Sequence, residues 1–294
     1  MKRWLSLFTA VVMLATLLPT GALRAEAAGT AVLALGADLS DSERESVLSQ
    51  MGITEEEAAS YETIYITNAM EHEYLDDSLG STVVGTRALS SVLLIPQESG
   101  VGLSVETHNI SYCTVAMYRN ALLTAGVSDA KVIVAAPFSI SGTAALIGAV
   151  KAYETYSGTE VSDEAFEVAT DELVLTGELS EELDSEEISD LIAYLKQQVA
   201  EQGLDDPDKL TELVSQAAAE MDLELTDEQI SQIVNLLLKL NNLDIDVDTL
   251  VSQAQDLYSK IESLGIDIDS EKVGNFITRF ISSIWDLIQS FLSK

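Results

Sequence analysis

Residues 31–52 read AVLALGADLSDSERESVLSQMG. The run Ala31 to Leu35 is short and wholly apolar, which reads as a buried strand. Ser40 then stands in an N-cap position with Glu43 three residues on. Those are the two halves of a capping box, so a helix opens there and runs through Gln50 until Gly52 ends it. A buried strand followed at once by a capped helix sets an α/β grammar.

The same grammar continues outward. TIYIT (63–67) is β-branched and aromatic and reads as a strand. SSVLLIPQ (90–97) and GLSVETHNI (102–110) are two more, and Glu98-Ser99-Gly100 between them reads as a hairpin turn. TVAMYRNALLTAG (114–126) has helical spacing and a glycine stop, and KVIVAAP (131–137) is a further strand. Ser141 or Thr143 starts a helix that Gly158 closes. The expectation for residues 28–158 is an α/β domain with a mixed sheet and packed helices.

From Thr159 the chain changes character. Between Glu160 and Glu271 there are 31 Asp and Glu against Lys196, Lys209, Lys239 and Lys260, a net of −27. Apolar residues recur at helical spacing: Ile188, Leu191, Ile192 and Leu195; Leu210, Leu213 and Val214; Ile230, Ile233, Val234, Leu237 and Leu238. Acidic connectors precede them, LDSEE (183–187), LDDPD (204–208) and LELTDE (223–228), with LDIDVD (243–248) and IDIDSE (266–271) following. Residues 159–271 are therefore expected to form an all-α acidic helical domain. Thr226 with Gln229 makes a capping box, and Pro207 falls at a first helical position. Residues 272–294 place Val273, Phe276, Phe280, Ile284, Trp285 and Ile288 on one wide apolar face with slightly basic ends, a C-terminal amphipathic helix.

The N-terminus reads as a signal peptide. Lys2 and Arg3 precede an apolar run from Trp4 to Leu18, and Ala25-Glu26-Ala27 offers small residues for cleavage after Ala27. The run is shorter than the roughly 20 residues a bilayer span needs. The protein is thus expected to be secreted, extracellular or cell-envelope associated. Cys113 is the one cysteine, so no internal disulfide forms and packing carries the fold. A formal net charge of −34 excludes nucleic acid, whose phosphates would be repelled, and favours a protein or cation partner.

Chemistry-bearing residues are sparse. His72 lies between Glu71 and Glu73, and His108 is two residues after Glu106. Histidine beside carboxylate suits general base catalysis or zinc, but neither has a partner one helical turn away, and a backbone bond at a strand end is the better account of each. Arg87 can clamp an anion, but an internal ion pair with Glu71, Asp76 or Glu106 is the favoured reading. Ser141, Gly142 and Thr143 sit at a strand–helix junction that suits an anion or simple capping. Asp244, Asp246 and Asp248 alternate as at the start of a calcium loop, but Thr249 and Gln255 break the pattern. No cofactor is expected beyond weak calcium binding there.

LGADLS (35–40), ITNAMEHEYL (66–75), GTRALSSV (85–92), VETHNI (105–110), YRNALLTAGV (118–127) and VAAPFSISGTAAL (134–146) resemble the YpuA-like domain of unknown function of exported Gram-positive bacterial proteins. The resemblance implies export and an α/β fold, and transfers no catalytic residue. The leading expectation is a secreted, non-enzymatic binding or structural module of the envelope. The rival is a metal-assisted or His-dependent hydrolase using His72, His108, Glu71 and Arg87 on an envelope substrate. A third reading is a membrane-surface adaptor acting through residues 272–294.

Overall fold

A computed structural model describes residues 31–75 and 84–243. The expected signal peptide (residues 1–27), Asp244, Asp246, Asp248 and residues 272–294 lie outside the described residues.

The chain alternates strand and helix at first: β1 (Val32–Gly36), α1 (Asp41–Gln50), α2 (Glu55–Ala58), β2 (Glu62–Ile66), α3 (Asn68–Leu75), β3 (Ser91–Pro96), β4 (Leu103–Ile110), α4 (Val115–Thr124), β5 (Ala130–Ile140) and α5 (Thr143–Ser157). It is then helical: α6 (Asp163–Leu179), α7 (Ser185–Gln202), α8 (Pro207–Glu220) and α9 (Asp227–Asn241). The expected capping box is present, with the Ser40 side chain accepting from the Glu43 amide and the Glu43 side chain accepting from the Ser40 amide.

The five strands form one mixed sheet in the order β2-β1-β3-β5-β4. β1 and β2 are parallel, as are β4 and β5, while β3 is antiparallel to β1 and to β5. Side chains alternate across the pleat. Val32, Ala34, Val92, Leu94, Val132 and Val134 enter the core shared with α4, α5 and α6. Leu33, Leu35, Leu93, Ile133 and Ala135 face α1 and α2. Helices cover both faces, which is why the central strands are unbroken apolar runs.

The expected hairpin is corrected. β3 and β4 do reverse direction around Glu98-Ser99-Gly100, but they are not neighbours, because β5 lies between them. The reversal wraps the turn that leads into β5. Asp129, at φ 46°, accepts from the amides of Gly100 (3.0 Å) and Gly102 (2.8 Å) through Oδ1, and its carbonyl accepts from Gln97 (2.7 Å). Burial gives the physical reason. β5 is almost fully buried through Ala136, as a strand with neighbours on both edges should be, whereas β4 is mostly half-buried and takes the edge.

α6 belongs to two cores. Phe166, Ala169, Leu173 and Val174 pack under the sheet, while Val168, Leu175 and Leu179 join the core of α7, α8 and α9. Its apolar residues therefore do not fall on one stripe, so α6 stands out less in the sequence than the helices after it. Between its two faces Glu172 meets Lys196 of α7, with Nζ at 2.8 and 2.9 Å from the two carboxylate oxygens. The same Nζ donates to the Asn120 carbonyl at 2.9 Å, the Asn120 amide donates to the Ser189 carbonyl, and Thr124 donates to Glu172.

The acidic connectors act as caps. Asp184 and Asp206 each accept from two first-turn amides, Pro207 occupies the first position of α8, and Thr226 with Gln229 forms a capping box. Leu183, Leu204, Leu225 and Leu243 tuck from the connectors against the helical core. Among the described residues no helix is long and apolar enough to cross a membrane.

Candidate functional site

β1, β2, β4 and β5 all run in one direction, so their carboxyl ends lie along one edge of the sheet. Loops and helix starts gather at such an edge, which is where open α/β sheets hold ligands. Here a cleft of about 260 Å³ opens, lined by Glu71 of α3, residues from Val84 to Arg87, Leu89 and Ser90, Phe138 and Ile140 of β5, and Ser141, Gly142 and Thr143.

The β5–α5 junction forms one wall. Gly142 holds the N-cap position of α5 at φ 96°, with no side-chain capping bond. A Cβ there would lie 2.4 Å from the Tyr118 hydroxyl and 2.7 Å from Ile110, so only glycine fits. Tyr118 is fully buried and donates its hydroxyl to the Gly142 carbonyl at 2.5 Å, which pins the junction from below. Thr143, the first residue of α5, does not cap it. Its hydroxyl donates to Glu71 Oε1 at 3.0 Å, and the Ser141 hydroxyl lies 3.5 Å from that of Thr143.

Glu71 is only 2% exposed. Its second oxygen accepts from the Asn68 side-chain amide at 3.3 Å. Burial raises the Glu71 pKa, and the two hydrogen bonds and the nearby His72 pull in the opposite direction. Arg87 forms an internal ion pair as expected, but with Glu43 rather than Glu71, Asp76 or Glu106. Its Nη2 lies 2.9 Å from Glu43 Oε2 and 2.7 Å from the Asp38 carbonyl. Glu43 thus serves the α1 capping box and Arg87 at once, and these hydrogen bonds, those from Ser40 foremost, pull its pKa to about 2. Glu106 pairs with Lys131 on the neighbouring strand. Asp38 holds the segment beside the cleft, its Oδ2 accepting from the Ala88 amide at 2.8 Å.

The structure therefore gathers Glu71, Arg87, Ser141, Gly142 and Thr143 in one cleft. It does not bring the histidines there. His72 is on α3, which follows one edge strand, and His108 is on β4 at the other edge of the sheet. Neither lines the cleft. Among the described residues no group of three or more His, Cys, Asp or Glu side chains is placed to hold a metal ion. Cys113 is buried, and burial lifts its thiol to about 12, far from a reactive thiolate. Two of the anion-binding candidates already face carboxylates of the protein itself, Thr143 on Glu71 and Arg87 on Glu43.

Ser90 and Phe138 line the cleft without any motif in the sequence, and Asp38 and Glu43 flank it only as partners of Ala88 and Arg87. In the sequence Glu43 carries only the signature of a cap. Phe138 had one available signal: it is a large apolar residue just past a proline at the end of a strand, and it is 49% exposed at the cleft.

The family described as protein of unknown function (DUF1002) matches residues 35–257. The chain belongs to that family. The match spans both the sheet and the helices after it, so the two halves are parts of one family unit. The chain is also 40% identical to an uncharacterized protein, YpuA, of Bacillus subtilis (strain 168) over 293 residues, 98% of each chain. No solved structure matches.

Proposed function

We propose that this DUF1002 protein is a secreted, envelope-associated binding module that performs no chemistry of its own. The observation that supports this reading is the cleft at the carboxyl edge of the sheet. It unites a buried carboxyl, hydroxyls and an exposed aromatic ring from segments far apart in the chain, with both histidines outside it. A small concave site with a few convergent polar groups is the usual form of a ligand pocket. At about 260 Å³ it lies just under the roughly 300–1,000 Å³ of sites for drug-sized ligands, so it suits a small molecule or the end of a polymer. The helical half adds a capped, acidic outer surface that supports a protein or cation partner.

The test uses the mature chain from residue 28 onward, incubated with purified wall polymer and wall peptides. Saturable binding with no released product, weakened by S141A, is the expected result. Turnover that disappears in H72A or H108A overturns the binding reading in favour of a hydrolase.

A further inference from the structure

Between residues 31 and 158 the chain has five lysines and arginines: Arg44, Arg87, Arg119, Lys131 and Lys151. Each is engaged away from Glu71. Arg44 pairs with Glu55, Arg87 with Glu43, Lys131 with Glu106 and Lys151 with Glu154. Arg119 lies in the field of Asp190 and Glu186. Among the described residues the hydrogen-bond partners of Glu71 are the Asn68 amide and the Thr143 hydroxyl, both neutral. Both donate toward the carboxyl, so the site is arranged for two accepting oxygens. A carboxylate this buried is ordinarily paired with a cation or pushed toward its neutral form.

The surroundings reinforce this deficit. Asp38 adds a negative charge near Glu71, and Glu43 cancels the charge of Arg87. Among the described residues, His72 on the same helix is the group whose positive form favours the Glu71 carboxylate, and Tyr118 beneath the junction feels the Glu71 charge. Among the described residues, the one guanidinium lining the cleft, that of Arg87, is engaged by Glu43 and the Asp38 carbonyl, which leaves Glu71 without a cationic partner. An anionic ligand would meet repulsion in such a site. A cation would supply what the fold omits, and the strong net negative charge raises the local concentration of cations.

We propose that the cleft binds a small ligand, or polymer end group, that presents a primary ammonium to Glu71. This rests on the reading of the cleft as a binding site and names the chemistry it selects. The ammonium takes the place of the missing lysine. The hydroxyls of Ser90 and Ser141 are placed for the ligand's neutral polar groups, and the exposed ring of Phe138 for its carbon face.

The experiment is an NMR titration of the mature chain at neutral pH, following the Thr143 and Ala144 amides and the Glu71 carboxyl carbon. The probes are glycinamide and glucosamine, each against its uncharged counterpart, N-acetylglycinamide and glucose, with acetate and inorganic phosphate as anions. The amines are expected to bind at least about tenfold more tightly than their counterparts, since a hydrogen bond to a charged group carries that much. They should also lower the pH at which the Glu71 carbon titrates. The E71Q variant, with its fold checked by the same spectrum, should erase the preference. If E71Q does not fold, the wild-type carboxyl titration with and without glycinamide decides alone. Equal or tighter binding of neutral or anionic probes at these amides overturns the ammonium proposal and leaves the binding-module reading standing. No shift with any probe at tens of millimolar overturns the ammonium proposal. Binding of wall polymer in the earlier assay would still support the module.

Discussion

Glu71 and Glu172 are both almost completely removed from solvent, yet the fold treats them in opposite ways. Glu172, on the helix shared by the two cores, is given Lys196, and both ends of that pair are satisfied: Thr124 donates to the carboxylate, and the Lys196 ammonium donates to the Asn120 carbonyl. Glu71, at the edge of a cleft, is given an amide and a hydroxyl. A buried ion pair completed by hydrogen bonds is a structural joint, costly to break from one side. A buried carboxyl without a cation keeps an unmet electrostatic demand, and groups of that kind concentrate at functional sites.

The sharpest way to break this comparison is K196M. It strands the Glu172 carboxylate at the α4–α6–α7 junction and should lower unfolding free energy by about 3–5 kcal/mol, read from chemical denaturation. A loss no larger than that of a surface lysine would remove the distinction between the two glutamates. G142A tests the rigidity of the cleft wall. It places a Cβ against Tyr118 and Ile110 at a positive φ, so a destabilisation of about 1–3 kcal/mol is expected in the same assay, with the Thr143–Glu71 bond disturbed. E71Q keeps one accepting oxygen for the Asn68 side-chain amide and turns an NH2 toward the Thr143 hydroxyl, which can accept as well as donate, so stability should change by less than about 1 kcal/mol in either direction, because no ion pair is lost. A cost near that of K196M would place Glu71 with Glu172 as a structural group.

The smallest effect is a slope in pH. Burial raises the Glu71 pKa in the folded chain, so between the unfolded value, near 4.5, and that raised value the native state holds more protons than the unfolded state. The contribution of Glu71 is fully present below 4.5 and is lost as pH rises through the folded pKa. Wild type should therefore lose stability relative to E71Q as pH climbs from 4.5 toward neutrality. Glu43 has the opposite sign. Its folded pKa of about 2 means that its contribution is present above 4.5 and lost as pH falls toward 2. Thermal unfolding of wild type, E71Q and E43Q across this range separates the two.

Much of the candidate site could be seen residue by residue. Arg87 stood out because cations are scarce in the first half of the chain, and Ser141-Gly142-Thr143 because a strand gives way to a helix there. The local pattern marks Glu71 only through its neighbour His72, and the cleft includes Glu71 but not the histidine. Their convergence was not visible, because Thr143 and Glu71 are 72 residues apart and Arg87 and Glu43 are 44 apart. Nothing in the local pattern of either segment encodes such a meeting.

The sequence by itself determined whatever is closed within a few residues. The capping boxes at Ser40 and Thr226, the aspartate caps at Asp184 and Asp206, the proline start of α8 and the apolar runs of the central strands all satisfy their hydrogen bonds or burial locally. Only the tertiary structure decided which strands are neighbours, which helix serves two cores and which buried carboxylate receives a lysine. Placing β5 between β3 and β4 depends on burying a two-sided apolar strand under helices from both faces. The contrast between Glu71 and Glu172 depends on which cations packing brings within reach. Those outcomes are set by the competition of all segments for one interior.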